Sequence, residues 1–473
     1  MVFSSLEFIC IFLPAVFLLY TAIPNHRARN ILLIIASLIF YAYGEIIYVL
    51  LMIFSSILNY ACARWVAAGQ GRNKAALVTA VVVNLGILGV FKYTGMLVGT
   101  FNDITGLAVP VPQIALPIGI SFFTFQALSY VIDVYRGNVG VQKNYLSILL
   151  YISFFPQLIA GPIVKYRDIN EQISERHQDI VKIARGLRRF ICGLCKKVLI
   201  ANTMGAIADI MFAQELGGLS ALSAWLGAIA YLFQIYYDFS GYSDMAIGLG
   251  LMFGFEFKEN FNYPYSAVSV KDFWRRWHIS LSTWFKEYLY IPLGGNRKGK
   301  GRAALNRIIV FFCTGLWHGA SWTFVLWGLW HGLFLLLEEY VPAMRKLPKF
   351  IGHIYSILVV MFGFVLFRAD TIGYGFGYIG RMFSGGFEAA SVSVAVGALT
   401  PLFIVTLLAA ILGCAPVQPL ANRVRAKING SGELGIVWNT VRIGLYILAF
   451  VGLAVCMLSL APGGYNPFIY FRF

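Results

Sequence analysis

Leu6-Glu7-Phe8-Ile9-Cys10-Ile11-Phe12-Leu13-Pro14-Ala15-Val16-Phe17-Leu18-Leu19-Tyr20-Thr21-Ala22-Ile23 holds a single charged side chain, Glu7. A helix crossing the ~30 Å hydrocarbon core of a bilayer takes about 20 mostly apolar residues, and this run has that length and texture. No basic residues precede it and no small-residue cleavage site follows, so it reads as a retained first transmembrane helix, not a signal peptide. Similar runs follow at Ile31–Tyr43, Ile46–Val66, Ala75–Met96, Ile114–Tyr135, Tyr145–Val164, Ala184–Ala201, Ala221–Asp238 and Tyr242–Phe255. More lie at Leu305–Trp322, Phe324–Tyr340, Ile351–Phe367, Val394–Cys414 and Val441–Leu460. Of the 473 residues 59% are hydrophobic and only 12% are charged. A soluble chain has roughly twice that charge, and a disordered one is poor in apolar residues. The sequence therefore specifies an all-α polytopic membrane protein.

Some of the runs are too short or too polar to cross alone. Pro156, Gly161 and Pro162 break one, and Ser240-Gly241 separates two others. Broken helices survive at membrane depth only where protein or a cavity covers the freed backbone. The expectation is about 11 complete spans plus re-entrant and interfacial pieces, forming one domain over residues 1–473 with an aromatic tail at 462–473. No internal repeat marks an inverted-repeat transporter.

The net charge of +16 does not indicate nucleic acid, because Lys and Arg sit in short clusters between apolar runs, as in cytoplasmic loops near anionic lipid. His26-Arg27-Ala28-Arg29, Arg64 to Lys74, Arg136 with Lys143, and Arg423 to Lys427 place those loops inside and both chain ends outside. Lys165 to Lys197 mixes Arg185, Arg188 and Arg189 with Leu187 and Phe190, the composition of an interfacial amphipathic helix. Of seven cysteines five lie in apolar runs as core residues, while Cys192 and Cys195 form a CxxC with no second pair or nearby His. No metal site is expected.

Of six histidines, His26 and His177 lie in charged loops and His353 near a helix start. His318, in Gly315-Leu316-Trp317-His318-Gly319-Ala320-Ser321-Trp322, sits in an apolar region, where an ionisable group is a functional candidate by default. A neutral imidazole there can take a hydroxyl proton as general base; it can equally be a structural histidine bonded to a neighbouring helix. His331 is about 220° round and roughly 20 Å along from His318 on a continuous helix, so it reads as structural unless the helix breaks near Gly319. His278, on a separate helix, can face His318 across a cavity. Asp238 and Asp244 flank Phe239-Ser240-Gly241-Tyr242-Ser243 and read as caps for broken helix ends, with a proton relay or cation site as the alternative. Gly294 to Arg302 lacks a P-loop ending; Arg297 and Lys298 are either solvated loop cations or a landing site for an anionic donor. The ending Pro467-Phe468-Ile469-Tyr470-Phe471-Arg472-Phe473 either anchors at the interface or tucks into a cavity.

Arg275-Arg276-Trp277-His278-Ile279-Ser280-Leu281-Ser282 followed by Leu316-Trp317-His318-Gly319 resembles the membrane-bound O-acyltransferases, in particular bacterial members that acetylate polysaccharides. Met1 to Ser5, Leu116 to Phe122, Phe155 to Ile163 and Asp238 to Asp244 support the resemblance, which covers the chain from its first residue to beyond His331. It implies a ring of helices around a tunnel, with His318 as the catalytic histidine and His278 as the second polar position. It also implies an acyl donor that is a thioester, acetyl-CoA or an acyl carrier phosphopantetheine, with no bound cofactor. Trp317, Asp238 and Ser240 join Arg297 and Lys298 as expected substrate or donor contacts. The expected partners are an exterior SGNH-type transferase, membrane lipid and, indirectly, a polysaccharide, in the inner membrane of a bacterium. The tail resembles the aromatic-Tyr ending of a small partner of teichoic-acid D-alanylating relatives, and by that analogy Tyr470 carries the acyl group as a transient ester. A secondary transporter or polymer-export component, or an acyltransferase acting on lipid or protein, is the alternative.

Overall fold

The structure, a computed structural model, describes residues 1–68, 73–416 and 434–469. Arg423 to Lys427 and Tyr470 lie outside the described residues. The described chain is helical, with no strand among its elements. The helices used below are α1 (Glu7–Ala22), α2 (His26–Ala42), α3 (Tyr48–Ala68), α4 (Lys74–Thr105), α5 (Ile120–Arg136), α6 (Ile180–Phe212) and α7 (Ala221–Met252). They continue as α8 (Val270–Arg276), α9 (Ile279–Phe285), α10 (Lys300–His318), α11 (Trp322–Tyr340), α12 (Lys349–Arg368), α13 (Pro401–Gly413) and α14 (Leu434–Leu460). Five stretches among the described residues (α3, α4, α6, α12 and Ile443–Leu460 of α14) are long and apolar enough to cross a membrane. A sixth is α13 with the preceding Ala389–Ala398, bent by 72°.

Helix contacts inside a membrane depend on close approach and on polar side chains that satisfy one another. Asn59 of α3 and Asn84 of α4 are fully or nearly fully buried and exchange two amide hydrogen bonds of 3.0 Å. The densest seam joins α6 to α7, where glycines meet: a Cβ on Gly193 would lie 2.5 Å from the Gly241 carbonyl, and one on Gly248 2.6 Å from the Gly186 carbonyl.

That seam corrects two expectations. Ser240-Gly241 does not break a helix: α7 runs unbroken for 32 residues, and Gly241 is there for the close crossing. Asp238 and Asp244 therefore cap no helix end. The basic stretch after Lys165 is not merely interfacial either, because α6 continues through a π-helical segment at Lys196–Ala201 into one 33-residue helix. Its cations turn inward to the acids of α7: Lys197 Nζ lies 2.8 Å from Asp238, Lys196 Nζ 2.7 Å and Arg189 2.8 Å from Asp244.

The Tyr145–Val164 run does break as its prolines require, into Tyr145–Ser153 and Phe155–Leu158 followed by non-helical backbone. Gly119, at φ +78°, begins α5 beside that break, with the Leu158 carbonyl where a Cβ would stand. The two ends of the described chain meet: Asn466 donates to the Ser4 carbonyl at 2.9 Å.

Candidate active site

Helix α10 ends at His318, and the chain turns through Gly319–Ser321 into α11, with the Ser321 hydroxyl capping the new helix at Thr323. The helix does break near Gly319, yet the break does not unite His318 with His331. The Trp327 indole stands between them, its centroid 4.8 Å from His318 and 5.2 Å from His331. His331 is enclosed by Phe273 and Trp274 as well, a packing position.

His318 is 4% exposed and is walled by Trp317, Trp327 and Phe367, with ring centroids at 4.9, 4.8 and 5.4 Å. The last carbonyls of a helix have no intrahelical donor, and here α4 provides two. Tyr93 donates to the Leu316 carbonyl at 2.7 Å and Lys92 to the Trp317 carbonyl. Lys92 is buried, so its N–H satisfies a carbonyl that water cannot reach. Lys92 is the single charged residue of the apolar run Ala75–Met96, the signal that could have singled it out; its partner, 225 residues away, was not readable from the sequence.

His278 lies across from His318, with centroids 6.3 Å apart. It sits between α8 and α9 at φ +43°, a left-handed conformation uncommon for a residue with a Cβ. Asn260 holds it there. The Ser280 backbone N–H meets Asn260 Oδ1 at 3.2 Å, which identifies that atom as oxygen, since a backbone N–H only donates. The same oxygen lies 3.2 Å from His278 Nδ1, so Nδ1 is the protonated nitrogen and Nε2 carries the lone pair. The Asn260 amide donates onward to Ser243 at 3.1 Å. His278 is fully buried, and its Nε2 has no hydrogen-bond partner among the described residues. A buried acceptor left in that state is costly.

Two cavities flank His318 along the chain. One of about 260 Å³ reaches Thr314, one turn before His318, and is lined by Lys271, Arg275, Lys286 and Arg307. Its one carboxylate among the described lining, Glu339, pairs with Arg307 at 3.0 Å. The other, about 340 Å³, lies beyond His318, lined by Ser321, Phe324, Phe367 and Arg368 together with Pro467, Phe468 and Ile469 of the tail.

Of the described part of the tail, Phe468 and Ile469 are buried against the body. Phe468 stacks on Tyr242 with centroids 4.7 Å apart, and the Ile469 N–H donates to Asp238 Oδ2 at 2.8 Å. Lys197, paired with the other oxygen of Asp238, donates to the Pro467 carbonyl. Asp238 thus holds backbone, and its neighbour Phe239 packs on His278 at 4.7 Å. Of the other expected contacts, Trp317 packs beside both histidines, 5.7 Å from His278 and 4.9 Å from His318, and Ser240 is buried with its hydroxyl unpartnered among the described residues. Arg297 and Lys298 are exposed on the loop before α10 and do not line the basic cavity.

Residues 138–373 match the model of MBOAT, the membrane-bound O-acyltransferase family. The chain is 40% identical to the probable alginate O-acetylase AlgI of Pseudomonas putida over the full length of both. The chain belongs to the membrane-bound O-acyltransferase family. It is 41% identical over the full length of both to the corresponding protein of Azotobacter vinelandii. It is also 38% identical to the peptidoglycan O-acetyltransferase of Helicobacter pylori, over 79% of this chain and 78% of that one. The protein is an O-acyltransferase with several membrane-spanning helices, and in this acyltransferase His278 and His318 face one another within the matched region.

Proposed function

We propose that this O-acyltransferase moves an acetyl group from a cytoplasmic thioester through the membrane for O-acetylation of an extracytoplasmic polysaccharide. The observation that carries the reading is the pairing of His278 with His318 at a helix end whose chain neighbours reach two cavities, a basic one at Thr314 and one at Ser321 that is also lined by Phe468 and Ile469. A phosphate-bearing donor, acetyl-CoA or an acylated carrier, suits the basic cavity, where Lys271, Arg275 and Lys286 meet its charge; Arg297 and Lys298 guide it from the adjoining loop. His318 takes the acceptor hydroxyl proton as that oxygen attacks the thioester carbonyl. The C–S bond breaks, an oxygen ester forms, and the proton passes to the leaving thiolate. His278, an acceptor at Nε2, receives a donor N–H of the incoming pantetheine arm and so orients the thioester. Trp317 and Ser240 border the path of the acyl group. The thioester supplies the transfer potential, so no nucleotide is hydrolysed.

Tyr470 is the acceptor in this scheme, one residue past the Ile469 amide that Asp238 holds. An exterior SGNH-type partner then passes the acetyl group to polymer, with the enzyme in the bacterial inner membrane. The purified protein is incubated with radiolabelled acetyl donor. The expected result is label on Tyr470 in the wild type, none in Tyr470→Phe, and a loss of about 100-fold or more in His318→Ala, the usual scale of a lost general base. Polymer acetylation intact in Tyr470→Phe overturns the relay. Full activity in His318→Ala overturns the base.

A further inference from the structure

Not all the cations of α6 are used in pairing with α7. Arg185 and Arg188 turn the other way, to the mouth of a groove of about 1140 Å³ between α6, α13 and α14. Arg188 lies over the Tyr446 ring at 5.5 Å, and no Asp or Glu occurs among the described lining residues. Away from those arginines the walls are mainly aliphatic, with Leu199, Val405, Val451 and Val455, and the one further cation, Lys196, is paired with Asp244. The lining on α14 runs from Leu445 to Val455, ten residues or about 15 Å of helix rise, which is half of a ~30 Å hydrocarbon core. Only 6% of the Ile443–Leu460 window is buried inside the protein, so α14 gains little of its packing from the rest of the chain. A positively charged mouth above an apolar slot one leaflet deep is complementary to one class of molecule.

We propose that this groove is a specific site for an anionic phospholipid of the cytoplasmic leaflet. Arg185 and Arg188 bind the headgroup phosphate, and one acyl chain fills the slot between α6 and α14. The lipid completes the packing of the helix that leads into the docked tail.

Titration of the detergent-purified full chain with phosphatidylglycerol, phosphatidylcholine and inorganic phosphate, followed by native mass spectrometry, tests this. Phosphatidylglycerol should be retained in preference to phosphatidylcholine, with no competition from phosphate. Arg185→Gln with Arg188→Gln should weaken phosphatidylglycerol binding about 25-fold, from the affinity two basic residues add at an anionic headgroup. Ala449→Trp, which fills the slot but keeps the arginines, should abolish retention while circular dichroism shows the helices intact. Equal binding of the two lipids, displacement by phosphate, or wild-type retention in either variant would overturn the proposal. Each of these outcomes is independent of whether Tyr470 is acylated.

Discussion

Asn260 decides which nitrogen of His278 carries the proton. Its Oδ1 accepts from Ser280 twice and from His278, fixing a tautomer and a left-handed backbone that an isolated histidine would avoid at a cost of about 1–3 kcal/mol. Replacing it by leucine removes the acceptor and lets the ring turn. Asn260→Leu should lower kcat at least tenfold with membrane insertion retained, measured by steady-state acetyl transfer in reconstituted vesicles. Lys92 acts one step behind His318. Lys92→Met leaves the Trp317 carbonyl buried without its donor, a loss of about 1–3 kcal/mol, and loosens the last turn of α10. The expected effect is a fall in kcat with little change in the donor KM, and partial recovery in Lys92→Arg, which restores a donor.

At the scale of elements, the α6–α7 seam sets where Lys197 and Asp238 meet. Gly193→Leu drives a side chain into the Gly241 carbonyl and the Met245 backbone, and overpacking of that kind costs about 1–3 kcal/mol. A lowered thermal midpoint of the purified protein would be the readout. On the loop side, Glu287 of the Lys286–Tyr290 turn is paired with Lys165 at 2.8 Å and with Arg167. Burial raises its pKa, but the two cations outweigh this and hold it below the usual carboxylate value. A carboxylate with a depressed folded pKa contributes stability that is present above its unfolded value and lost as pH falls through the folded one. Stability should therefore fall on acidification below the ordinary glutamate range in the wild type, and Glu287→Gln should be less stable at neutral pH with a flatter acid limb. Melting curves across pH measure both.

In the molecule as a whole, the tail is closed onto the body by a buried ion pair whose side chains are 3% and 1% exposed. Breaking such a pair by removing one charge costs about 3–5 kcal/mol, because the other charge stays buried. Asp238→Asn should therefore speed hydrogen exchange at the Ile469 amide and expose the tail to protease, while exchange in the α3–α4 pair stays slow. The same pairing bears on the transporter alternative: Asp238 and Asp244 are engaged by lysine and arginine and are not free carboxylates for proton coupling.

Much of this molecule was legible in order of residues alone. Charge content and apolar run length place it in a bilayer, because transfer of charge into hydrocarbon is costly whatever the fold. His318 stood out for the same reason, as an ionisable group in an apolar run, His278 through the motif shared with the family, and the aromatic ending because a solvated tail would be polar. Through-space pairing was not legible. Asp238 and Asp244 looked like caps because Ser-Gly looks like a break, until α6 is seen to approach so closely that glycine is required. Lys92 is 225 residues from the carbonyl it satisfies, and Asn260 is 18 from the imidazole it orients. Periodicity and composition record how each segment divides between water and lipid, whereas the partner of a buried polar atom is set by helix crossings, and only the tertiary structure fixes those.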